Sequence, residues 1–218
     1  MIWRLTHAIP SDNYGMAFDF MPLDGDIQKV RIKDLTIDIG INPINSVHHF
    51  RCGRTLDTTL LPARLKPKYD RGGGDAANNA LKVPDLFGVD LAQVVSEKFK
   101  SIVESMDPGA HQFYPVQIAW KNNAAEPLTY YWFAPGQRLF AFDHQRTSPP
   151  VSPVTGQFMH NTPLEQWAPA FRQDVVADHS LFSAAEFPGA IFIIDQLKGA
   201  LEQAQLKGLI FIGPYALS

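Results

Sequence analysis

The chain has 218 residues, 45% hydrophobic and 19% charged, a balance that excludes disorder or a fibre and suffices for a core without disulfide or metal staples. A net charge of -3 and a pI near 6.1 supply no field that gathers phosphate backbones or anionic lipid, so direct nucleic-acid and membrane-surface binding are not expected.

Met1 to His7 carries Arg4 and His7 where an export signal needs an unbroken apolar stretch. Asp24-Gly25 lies between Phe18-Asp19-Phe20 and the run Ile27 to Ile32, which predicts a tight turn between two strands. Leu35 to Ile39 alternates apolar and polar residues and reads as a half-buried strand, so the N-terminal 1–60 is expected to be β-rich. From Leu60 to Phe87 the prolines, Gly72-Gly73-Gly74 and Asn78-Asn79 predict a long surface excursion. Ser96 then caps a helix with Phe99, Ile102, Val103 and Met106 on one face, which Asp107-Pro108-Gly109 stops. His111 to Trp120 reads as a strand.

Tyr130-Tyr131-Trp132-Phe133 and Leu139 to Phe142 flank Pro135-Gly136, a turn signature that predicts a hairpin with core packing on both faces. Thr147 to Pro153 is a proline-rich connector, and Thr162-Pro163-Leu164-Glu165 has the form of a capping box. The longest greasy run, Ala190 to Ile194, falls far short of the roughly 20 residues of a membrane span. Asp195 is expected to cap a helix with Leu197, Ala200, Leu201 and Ala204 inward, ended by Gly208 before a last strand. Strand, cap, helix and strand thus occur twice, and such units can contribute parallel pairs. The fold class expected is α+β, a mixed or mainly antiparallel sheet with a few amphipathic helices packed on it.

Chemical motifs are sparse. Adjacent His48 and His49 would point to opposite faces of a strand and chelate no metal together. Cys52, the one cysteine, can close no internal disulfide and suits a reducing compartment; Arg51 and Arg54 nearby could lower its pKa, yet alternation turns it away from Arg51. Asp143-His144 and Asp178-His179-Ser180 contain the residue types of a nucleophilic triad, but a triad is defined by spatial geometry that neighbours in sequence rarely achieve. Gly72-Gly73-Gly74 lacks a phosphate-loop pattern. No catalytic residue, metal ligand or cofactor is assigned.

Val94 to Lys100, His111 to Val116, Tyr130-Tyr131, Phe142-Asp143 with Ser148, and Phe187 through Leu201 into Lys207 to Phe211 together form an ordered pattern. In this pattern, over about 84–211, the chain resembles the Imm11 immunity-protein family of bacterial polymorphic toxin systems, formerly a domain of unknown function. The length suggests a single domain over 1–218, and the resemblance implies a non-catalytic, cytoplasmic α+β protein that binds a cognate toxin and blocks it, nucleases being among the toxins such proteins meet. Occlusion by a surface of standard size, roughly 1,600 Å², is the expected mechanism. Against a basic nuclease groove, Asp24, Asp26 and Glu186 are the acidic side chains expected to mimic phosphate. The competing readings are a hydrolase or transferase using His48, His49, Asp143 or His144, and an adaptor that loads an effector for secretion.

Overall fold

Strand-forming alternation and two amphipathic stretches build the chain, in order, from β1 (Ile2–His7), β2 (Phe20–Pro22), β3 (Arg31–Ile32), β4 (Leu56–Asp57), β5 (Arg64–Pro67), β6 (Leu86–Val89) and β7 (Ala92–Ser96). Then follow α1 (Glu97–Met106), β8 (Gln112–Ile118), β9 (Tyr130–Ala134), β10 (Arg138–Leu139), β11 (Ala170–Phe171), α2 (Gln173–Val176), β12 (Leu181–Ala184), β13 (Ile191–Ile194), α3 (Asp195–Gln203) and β14 (Leu209–Leu217). The computed structural model describes residues 1–7, 20–33, 50, 53–67, 83–90, 92–120, 125–152, 156, 167–187 and 189–218. The strand expected at Leu35 to Ile39, the Gly72 to Gly74 loop and the capping box at Thr162 to Glu165 lie outside these residues.

Two six-stranded sheets dominate, ordered β2-β5-β8-β9-β7-β6 and β10-β12-β13-β1-β14-β11, beside a small β3-β4 pair. Both large sheets are mixed: β5 with β8, β10 with β12 and β11 with β14 run parallel, and the other pairs antiparallel. The protein is therefore sheet-rich with few helices, which fits α+β in outline.

The two strand-helix-strand units share one topology. β7 and β8, joined through α1, are separated by β9, which pairs antiparallel with both. β13 and β14, joined through α3, are separated in the same way by β1. The parallel pairs that such units can form are thus replaced by an inserted antiparallel strand. The hexapeptide Ile2–His7 is central to its sheet, with Leu5 in register with Ile191 on one side and Phe211 on the other.

Three apolar clusters follow from the alternation. On β9, Tyr130 and Trp132 face a cluster with Phe20, Phe50, Leu56 and Leu65, and the Trp132 indole N–H donates to the Pro62 carbonyl at 2.7 Å. Phe133, on the opposite face, joins Phe99 and Val103 of α1, Leu197 and Leu201 of α3, and Leu5, Ile191 and Ile193 of the other sheet. Each such fully buried side chain contributes about 1.5–3 kcal/mol. A third cluster gathers Ile2, Phe142, Phe171, Phe182 and Phe192.

The α1 expectations match at both ends: the Ser96 hydroxyl accepts from the Phe99 amide, and Asp107 and Gly109, at φ 68°, terminate the helix. Asp195 departs from its expected role. It is the first residue of α3, makes no cap bond, and instead accepts from the Trp3 indole at 2.6 Å and the Met1 ammonium at 3.0 Å. No hairpin forms around Gly25, because β2 pairs with β5 and β3 with β4. The surface excursion expected from Leu60 contains β5, whose Leu65 is fully buried between two neighbours.

The hairpin expected at Pro135-Gly136 is also absent: β9 stays with β7 and β8, whereas β10 joins β12 in the other sheet. Gly136 serves a crossing between sheets. A Cβ there would stand 1.9 Å from the Ala110 carbonyl oxygen, a contact only glycine allows.

Candidate functional site

Asp24, Asp26 and Glu186 occupy different positions, and the fold brings only the first two together. Asp24 follows β2 and turns back onto β5: one oxygen accepts from the Ala63 and Arg64 amides at 2.8 and 3.1 Å, and the other meets Arg64 Nε at 3.0 Å. Desolvation pushes its carboxyl up, but those bonds and the Arg64 charge together outweigh it and hold the pKa below the usual range. Asp26 caps a short 3-10 turn at Ile27–Lys29 by accepting from the Gln28 amide, and its other oxygen pairs with Lys29 at 3.0 Å. The hydrogen bond from Lys29 depresses its pKa. Both acids are at the surface, yet each stands beside a cation of its own chain, which weakens them as phosphate mimics.

Glu186 is not on a surface at all. It is 1% exposed, and its two oxygens accept from the Ala141 and Phe142 amides, both at 3.2 Å, with His144 Nε2 3.4 Å away. Its carboxylate fastens the segment after β10 to the end of β12, so the expectation that it reaches a partner is corrected. No local pattern in the sequence marks this role, because the bonded amides lie more than forty residues away.

Around Asp24 and Asp26 the chain exposes apolar side chains. Met21 and Leu23 are each 38% exposed and Leu60 42%. Leu23 and Asp26 donate their amides to the Arg64 and Leu60 carbonyls, which fixes these segments side by side. Asp57 accepts from the Thr59 amide and hydroxyl, which lowers its pKa. The result is a ribbon edge with Met21, Leu23 and Leu60 outward and Asp24, Asp26 and Asp57 among them.

The residues with catalytic chemistry are engaged elsewhere. Asp143 accepts from the Gln145 amide in a turn. Ser180 is buried, and its amide, with that of Leu181, donates to Asp107. Asp107 also lies 3.2 Å from His111 Nε2, an aspartate-histidine pair that the sequence reading did not single out. The Gly136 amide donates to His111 Nδ1 at 3.2 Å, so Nε2 carries the proton toward Asp107 and the ring keeps no nitrogen for a nucleophile. Burial pushes the His111 pKa down, against the smaller opposing effect of Asp107. His48, His49 and Cys52 lie outside the described residues. Among the described residues no three His, Cys, Asp or Glu side chains gather to hold a metal ion, and no helix is long and apolar enough to cross a membrane.

A comparison with curated proteins found no match. The model of the immunity protein family Imm11 matches residues 74–213, which include β6 through most of β14 and bracket the resemblance noted between Pro84 and Phe211. With well over half of its length matched, from the two sheets through both amphipathic helices, the chain belongs to the Imm11 immunity protein family.

Proposed function

We propose that this protein is a non-catalytic immunity protein that binds a cognate bacterial toxin in the cytoplasm and neutralises it by covering its active site or substrate groove. Family membership over residues 74–213 carries this reading. The face assigned to the toxin is the ribbon edge bearing Met21, Leu23 and Leu60, with Asp24 and Asp26 beside these anchors. Affinity on such a face comes from a few apolar anchors and not from total area. Because Asp24 and Asp26 are paired with Arg64 and Lys29, they present dipoles, and association depends only weakly on salt. A nuclease is one toxin class this face suits, as its acids still oppose basic side chains at contact distance.

The test is co-expression with the toxic domain of the cognate toxin, which is sought in the reading frame adjacent to this gene. Growth is restored by the native protein and lost with Met21→Ser, Leu23→Ser and Leu60→Ser combined, while the unfolding midpoint is unchanged. Absence of rescue by the native protein refutes the function; full rescue by the triple variant refutes the face alone. An adaptor that binds its effector outside the toxic domain would give no rescue.

A further inference from the structure

At the C-terminal end of β1, where that strand meets β6, a cavity of about 270 Å³ opens among Arg4, Thr6, His7, Gln93 of β7, Phe187 and Gly189. Two of its polar groups, on Gln93 and Arg4, lack a hydrogen-bond partner among the described residues. Gln93 on β7 is 4% exposed, and among the described residues nothing donates to its side-chain oxygen. Nothing there accepts from the buried Arg4 Nε–H either. The guanidinium of Arg4 carries no ion pair with any described carboxylate; it lies 5.4 Å from the Trp167 ring centre and 5.8 Å from that of Phe187. Those rings meet edge to face at 5.0 Å and hold the cation in place.

Desolvation lowers the Arg4 pKa against a smaller opposing effect of Tyr215, as expected of a guanidinium drawn out of water with no carboxylate beside it. Space is reserved as well. Gly88 faces Gln93 across β6 and β7, and a Cβ on it would stand 2.6 Å from the His7 ring, so glycine keeps that imidazole against the cavity wall.

We infer that this cavity binds a small carboxylic acid bearing its own hydrogen-bond donor, of hydroxy-acid or amino-acid size. The carboxylate would accept from Arg4, the strongest match for a planar guanidinium, and the hydroxyl or amino group would donate to Gln93. The volume lies just under the usual range for drug-sized ligands, which selects a smaller molecule. This site is separate from the ribbon edge assigned to the toxin, and neither assignment depends on the other.

The experiment follows the Arg4 Nε–H and Gln93 side-chain amide resonances of the full chain during titration with L-lactate, glycine and acetate, with sodium chloride at matched ionic strength. Lactate or glycine shifts both signals saturably at millimolar concentration or below, acetate binds more weakly, and chloride produces no saturation. Arg4→Gln lowers affinity about ten- to a hundredfold. Gln93→Glu, which places a negative charge in the same cavity, abolishes binding and serves as the decisive variant if Arg4→Gln does not fold. Absence of saturation, identical behaviour with chloride, or undiminished binding by folded Gln93→Glu overturns the site. Equal affinity for lactate and acetate overturns the role given to Gln93.

Discussion

Replacing Glu186 by Ala removes an acceptor shared by two amides that have no route to water, since Ala141 is fully buried and Phe142 2% exposed. An unsatisfied buried donor costs about 1–3 kcal/mol, so the pair sums to about 4 kcal/mol at mid-range. For a chain of this size that loss lowers the melting temperature by roughly 8–16 °C. Glu186→Gln keeps one carbonyl oxygen but turns an NH2 toward the second amide, and about half of the loss is expected. Urea unfolding followed by circular dichroism, with the denaturant slope held constant between variants, gives the numbers. Toxin neutralisation by Glu186→Gln, at a temperature where it stays folded, equals that of the native protein. A loss under about 1 kcal/mol for Glu186→Ala, or a binding defect in a fully stable Glu186→Gln, refutes the buried-fastener account.

Gly136→Ala forces a methyl group onto the Ala110 carbonyl and destabilises by about 2 kcal/mol or more, read as a lower urea midpoint; an unchanged midpoint is the contrary result. Ser96→Ala removes the acceptor for the Phe99 amide and the donor to Asp85 at 2.6 Å, and differential scanning calorimetry records a loss of about 1–2 kcal/mol. His111 binds its proton more weakly in the folded chain than in the unfolded one, so its contribution to stability is complete above the unfolded pKa of about 6.5. That contribution is lost as pH falls from there through the folded pKa. Asp107 and Glu104 oppose this shift and His179 adds to it. Unfolding curves at pH 7.5 and 5.5 record the loss in the native protein and a smaller one in His111→Asn.

What the chain spells locally is what its sequence alone determined. The α1 boundaries, the inward Phe99 and Val103, and the two-faced packing of Tyr130 to Phe133 all depend on neighbours within a turn or on strand alternation, and all are found as read. The resemblance carried by residues 84–211 was equally legible, and the matched 74–213 encloses it. Strand partners were not. Asp24-Gly25 and Pro135-Gly136 have turn chemistry, yet the strands around them pair with distant segments, because burial of Leu65 and of the aromatic clusters outweighs the local preference for a turn. The same reason governs the acids. Asp24, Asp107, Asp195 and Glu186 resemble any surface carboxylate in one dimension, and only the return of residues 40, 73, 194 and 45 positions away converts them into fasteners. Arg4 and Gln93, 89 positions apart on two different sheets, line one cavity for that reason alone. Long-range closure, which the linear pattern does not encode locally, is what tertiary structure decided.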